Sequence, residues 1–136
     1  MGCTTIYRIP RAKLRDIRPD LDSLDEFPCL ELDGVGSGFW PLLTARLNLE
    51  SPAKGTPVAV DEGGGRAILE WSPAFIKSFV KRVDPDMMEA ALDGLVMEGA
   101  IPGLDTSRAR KAVAKLMGFL SRTDLGRDAL VEYVES

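Results

Sequence analysis

The central segment of the chain is residues 30–49, LELDGVGSGFWPLLTARLNL, in which an extended run, a glycine-rich turn and an apolar segment follow one another. Glycines at every second position from Gly34 to Gly38 predict the turn, and Pro41 is tolerated in the first turn of the helix that follows. A glycine loop before a helix can also cradle a phosphate, but the dinucleotide spacing and the P-loop lysine are missing. Because large aromatic side chains dominate core energetics, we expect other helices and strands to pack around Trp40. The predicted apolar face of this helix comprises Phe39, Leu42, Leu43 and Leu47.

Alternating apolar and polar residues at the two ends of the chain predict strands over residues 3–9 and 129–135. Shorter extended pieces are predicted at residues 29–33, 56–60 and 67–71, and a short helix at residues 11–17. Ser72, Asp84 and either Asp105 or Thr106 each precede an apolar stripe at helical spacing, which predicts three further helices. An isolated strand is unstable, so the first and last strands should share a sheet. We predict one α+β domain over residues 1–136, with a small sheet covered by about four to five helices.

Composition excludes several classes of function. The formal net charge of −4 and the pI of about 4.9 argue against a nucleic-acid partner. No apolar run approaches the roughly 20 residues that a membrane helix needs, and no signal peptide opens the chain, so we expect a cytoplasmic protein without a membrane contact. The absence of histidine removes Ser-His-Asp and Cys-His catalysis.

Metal and cofactor sites are not expected. Cys3 and Cys29 are too few and too far apart for a metal site, and a disulfide between them stays open, although a reducing compartment disfavours it. Clustered carboxylates in residues 18–28, namely Asp20, Asp22, Asp25 and Glu26, could bind a cation, but a solvated face is the commoner explanation. Over the wider range of residues 16–33 the negative charge would speed the encounter with a basic protein. The acidic residues of that range are Asp16, Asp20, Asp22, Asp25, Glu26, Glu31 and Asp33, offset only by Arg18.

In the order of its elements, the chain resembles the YfbM-like family of small bacterial proteins. The matching features are Met1-Gly2 before a strand, Leu32-Asp33, Leu42-Leu43-Thr44, the run from Trp71 through Phe75, and Ile101-Pro102-Gly103. The family often has histidine where Trp40 stands, so a site built on that histidine would be absent or rebuilt here. The family has no established activity, and the resemblance therefore implies a mixed α/β fold and little about function.

Two classes of function remain after these exclusions. The favoured one is a non-catalytic domain that binds a protein or a small ligand, with Asp33, Trp40 and Arg46 as candidate binding residues and no catalytic residue. A basic protein is the predicted partner, as for toxin-neutralising immunity proteins, and the sequence leaves the oligomeric state open. The alternative is a small enzyme that uses carboxylate and arginine chemistry through Glu31, Asp33 and Arg46. Whether Trp40 is a core residue or an exposed anchor also stays open at this point.

Overall fold

An antiparallel sheet is the base of the fold in the computed structural model, which describes residues 3–14, 21–36, 38–49, 52, 59–61 and 65–135. Within these ranges the sheet has five strands, in the spatial order β2-β1-β5-β4-β3. The strands are β1 (Cys3–Pro10), β2 (Cys29–Asp33), β3 (Ala59–Asp61), β4 (Arg66–Glu70) and β5 (Asp128–Glu135). The last strand lies at the centre and pairs directly with the first, so the prediction that both ends of the chain share one sheet is confirmed.

Four α-helices are present in the described ranges, against the four to five expected, and the α+β class is confirmed. They are α1 (Phe39–Arg46), α2 (Pro73–Arg82), α3 (Pro85–Glu98) and α4 (Thr106–Ser121). Three of them begin at the predicted caps, since the side chains of Ser72, Asp84 and Asp105 accept hydrogen bonds from the backbone of the first turn. Gly99 ends α3 in the left-handed conformation at φ 63°.

The two faces of the sheet carry separate apolar clusters. On one face the helices bury the main cluster, which includes Ile6, Trp40, Trp71 and Leu130. The opposite face, called here the outer face, carries a small cluster under the 3-10 segment Leu21–Glu26. Its buried members are Ile9, Leu24, Ile68 and Val131. The predicted alternation in the first and last strands therefore holds, because neighbouring side chains of a strand point to opposite faces.

One local prediction is tested only in part and another is wrong. Within the predicted helix at residues 11–17, Arg11–Lys13 form a 3-10 helix and Leu14 is α-helical, and the N–H of Arg11 bonds to the carbonyl of Arg127, the residue before β5. Residues 15–17 lie outside the described ranges. Leu42 does not widen the apolar face of α1 but is 39% exposed, because Trp40 enters the core and turns the position of Leu42 away from it. None of the helices in the described ranges is long and apolar enough to cross a membrane.

Candidate functional site

The three candidate binding residues lie in three different surroundings. Trp40 is fully buried in α1, Asp33 is exposed at the end of β2, and Arg46 is exposed at the end of α1. The structure therefore does not bring them together into one site. Each has a distinct set of contacts that bears on what it can do.

Trp40 is a core residue, which settles the alternative that the sequence left open. Its Nε1 donates a hydrogen bond to the Thr4 hydroxyl at 2.9 Å, and that hydroxyl donates to the Val35 carbonyl at 2.8 Å. The rings of Phe39 and Trp71 pack edge-on against it, with centroids 4.9 and 5.7 Å away. With its polar atom bonded and its rings enclosed, Trp40 stabilises the fold and offers no surface to a partner.

Arg46 joins α1 to α3. Its guanidinium pairs with Glu98 and crosses Gly94, where an added Cβ would collide with it. The hydrogen bond from Arg46, followed by its positive charge, lowers the pKa of Glu98. These contacts place Arg46 in the helical layer, whereas Glu31 belongs to the outer face. Glu31, Asp33 and Arg46 therefore do not form the carboxylate and arginine site that the alternative function would need.

An acidic surface lies on the outer face beside β2. We define it by Asp25, Glu26 and Glu31, all exposed and none in an ion pair within the described part of the chain. The phenol of Tyr7 reports on this surface, because burial raises its pKa and the charges of the Cys29 thiol, Asp25 and Glu31 raise it further. The acidic residues 16 and 20 lie outside the described ranges, as does the side chain of Asp22.

A cationic groove of about 470 Å³ lies where the end of β2 meets α4. Asp33 and Cys3 line one side, and Arg108, Lys111 and Lys115 line the other. The three cations recur at intervals of three and four residues, so they share one side of α4. This groove was not predicted from the sequence, although the spacing of the three cations beside the apolar stripe of α4 was a signal for it.

The stem of Arg108, an exposed residue, lies close to Gly34 along the wall of the groove. Gly34 has a φ of 85°, and a Cβ built on it would lie 3.1 Å from Cδ of Arg108 and 3.2 Å from its Cβ. The aliphatic stem of Arg108 thus packs against the backbone of Gly34, a close approach that a larger residue would prevent. Within the described ranges, none of Arg108, Lys111 and Lys115 forms an ion pair, whereas the neighbouring Arg110 pairs with Glu89 at 2.7 Å.

The two cysteines are exposed free thiols. In the β1–β2 ladder Cys3 lies opposite Asp33 and Cys29 opposite Tyr7, an offset of four residues or about 13 Å. The Cα atoms of a disulfide lie within about 7 Å, so these two cysteines cannot be joined in this fold. Partial burial of the sulfur is the main cause of a raised pKa at Cys3, and the charge of Asp33 adds to it. The thiolate that nucleophilic chemistry needs is therefore disfavoured at Cys3.

Glu132 is a second feature that the sequence analysis missed. It lies on the helix-covered face of β5, opposite Ile6 and Leu69, and only 4% of it is exposed. Its Oε1 accepts a hydrogen bond from Trp71 Nε1 at 2.9 Å, whereas Oε2 has no hydrogen-bond partner in the described part of the chain. A buried acceptor without a partner costs about 1–3 kcal/mol. Alternation in β5 places Glu132 on the face opposite Val131, and the central position of this strand in the sheet buries both faces there.

No group of three acidic or cysteine side chains able to hold a metal ion occurs among the described residues. The prediction of no metal concerned the whole chain and stays a prediction. Comparison with known protein families, with curated proteins and with solved structures finds no match to this chain. The resemblance to the YfbM-like family is therefore untested and stays a prediction as well.

Proposed function

We propose that this protein is a non-catalytic binding domain whose acidic surface meets a basic protein partner. The observation that carries the proposal is that Asp25, Glu26 and Glu31 are exposed and have no cation paired with them among the described residues. A surface whose charges have one sign raises the rate of encounter with a partner whose charges have the opposite sign. It also favours that partner over others. Immunity proteins that neutralise basic toxins are one class that would use such a surface.

The arrangement of the remaining groups supports binding over catalysis. Arg46 is engaged with Glu98, away from Glu31, and the raised pKa of Cys3 disfavours a thiolate. Membership of the YfbM-like family stays part of the proposal and would add nothing about activity. The cytoplasm stays our proposed location, and two free exposed thiols fit a reducing compartment.

The test compares two double variants of equal charge. Asp25→Asn with Glu31→Gln removes two charges from the acidic surface, and Asp86→Asn with Asp93→Asn removes two exposed charges from α3. A lysine octapeptide serves as the probe, with amide chemical shifts and the association rate followed from low to high ionic strength. We expect the probe to shift the amides around Asp25 and Glu31, and the first variant alone to lose most of the binding.

Two outcomes would contradict the proposal. One is an equal loss of binding in both double variants, which would show that the probe senses only the net charge of the protein. The other is self-association of the first variant with its peptide binding retained. In that case the charges on β2, an edge strand, would serve to keep that edge from pairing with a second copy.

A further inference from the structure

We propose that the cationic groove binds a small phosphate monoester that also carries hydroxyl groups. The groove is a different site from the acidic surface, and this inference does not depend on the proposed function. It rests on three features: the cations of α4 that form no ion pair within the described ranges, the packing of the Arg108 stem against Gly34, and the presence of Asp33 in the lining of the groove.

The charges of α4 work against the stability of the helix itself. Lys111 and Lys115 are one turn apart, and like charges at this spacing destabilise a helix. Arg108 lies in the first turn, where the positive end of the helix dipole disfavours a cation, and the acidic residue at this end is the N-cap Asp105, whose carboxylate accepts hydrogen bonds from the backbone N–H groups of Ser107 and Arg108. In the described ranges no carboxylate pairs with these three cations, although Glu89 neutralises Arg110 on the same helix. An anionic ligand would supply the missing counter-charge.

The geometry of the groove favours a phosphate group over a diffuse polyanion. A guanidinium whose stem is packed against Gly34 loses less freedom on binding, and a guanidinium matches two phosphate oxygens at once. Lys111 and Lys115 can approach the same phosphate as point charges. The volume of about 470 Å³ lies within the range of small-molecule sites.

Asp33 sets a second requirement that the chemistry of the ligand must meet. It is one of the residues that line the same groove, and its negative charge would repel a ligand that is anionic throughout. It would accept a hydrogen bond from a hydroxyl group on the part of the ligand that points away from α4. The net charge of −4 and the adjacent Glu31 further disfavour a long phosphodiester chain. A compact molecule with a phosphate at one end and hydroxyls at the other satisfies both sides of the groove.

The experiment titrates the full chain with glycerol 3-phosphate, inorganic phosphate and a single-stranded DNA decamer, with calorimetry and amide chemical shifts as readouts. Lys111→Gln with Lys115→Gln tests the groove. Lys77→Gln with Lys81→Gln is the control, since this exposed pair has the same spacing on α2. We expect the groove variant to weaken glycerol 3-phosphate binding about tenfold or more, and the control by less than about twofold. All four lysines are exposed, so circular dichroism should show unchanged folding in both variants.

Asp33→Asn tests the second requirement separately. Glycerol 3-phosphate should bind the unmodified protein about tenfold more tightly than inorganic phosphate, and Asp33→Asn should remove most of that preference. The proposal is overturned if both lysine variants weaken binding equally, if the phosphate probes bind without shifting the amides of α4, or if the DNA decamer binds more tightly than glycerol 3-phosphate. A preference that persists in Asp33→Asn would overturn the role of the hydroxyl groups.

Discussion

The two faces of the sheet differ in how much apolar surface they bury. The helix-covered face holds both tryptophans within a large cluster, whereas the outer face holds four buried side chains under one 3-10 segment. Because the free energy of burial grows with the apolar area removed from water, most of the stability must come from the helix-covered side. Charged side chains can therefore lie exposed on the outer face without a large loss of stability.

The charges follow the same division. Among the residues that the structure describes, carboxylates outside any ion pair lie on the outer face, and cations outside any ion pair lie at the rim where α4 meets β2. β2 takes part in both, since Glu31 lies on the acidic surface and Asp33 lines the groove. A chain with a modest net charge thus presents two surfaces of opposite sign, and each calls for a different partner.

The largest expected effect compares one large-to-small substitution on each face. Trp40→Ala should lower the free energy of unfolding by about 3–5 kcal/mol, because a fully enclosed aromatic side chain leaves a cavity. Leu24→Ala on the outer face should cost about 2–3 kcal/mol, since the thin cover there can close over the gap. Urea denaturation measures both, with equal m-values as the check on two-state unfolding. An equal or larger loss in Leu24→Ala would show that the outer face carries more stability than its burial indicates.

A smaller effect separates the two tryptophans within the main cluster. Trp71→Phe removes the N–H that serves Glu132 Oε1, which leaves both carboxylate oxygens without a partner among the described residues. Trp40→Phe removes the N–H that serves Thr4, but the Thr4 hydroxyl keeps its bond to Val35. Since the two substitutions delete the same volume, Trp71→Phe should be the less stable by about 1–2 kcal/mol.

The control for this comparison is a second substitution at the acceptor. Adding Glu132→Leu to Trp71→Phe should recover part of the loss, because replacing both partners of a buried hydrogen bond by apolar groups leaves nothing unsatisfied. Thermal denaturation of the two Phe variants and of the double variant measures the three stabilities that are compared. Equal stability of the two Phe variants, or no recovery in the double variant, would mean that the Trp71–Glu132 bond adds little to the core.

The smallest expected effect is a dependence of stability on alkaline pH through the outer face. Burial raises the pKa of Tyr7 above its ordinary value of 10.0, with the Cys29 thiol and the carboxylates of the acidic surface adding to the shift. The folded protein therefore binds this proton more tightly than the unfolded chain. Its contribution to stability is complete below pH 10 and is lost as the pH rises through the folded-state pKa.

Tyr7→Phe should remove that part of the alkaline loss. Free energies of unfolding measured between pH 9 and 11 should fall less steeply in the variant than in the unmodified protein, since the remaining titratable groups are common to both. Parallel curves would indicate that Tyr7 titrates alike in the folded and unfolded chains. The acidic surface would then lie too far from the phenol to act on it.

Features that depend on neighbouring residues could be predicted from the sequence. Ser72, Asp84 and Asp105 cap their helices as predicted, because a capping bond joins residues two or three positions apart. The left-handed Gly99 ends α3 for a similarly local reason. Strand alternation at both ends of the chain also sufficed to predict that these strands share a sheet, since neither is stable alone.

What covers each side chain and what lies beside it depends on the tertiary structure. Strand alternation does not show that Glu132 is buried, because its burial follows from the central position of β5 in the sheet. The sequence left two roles open for Trp40, and the structure shows a core residue whose N–H bonds to the hydroxyl of Thr4 in β1. Asp33 and Lys111 share a groove only because α4 crosses β2. Each outcome depends on contacts between residues distant in the chain, and a local pattern holds no information about them.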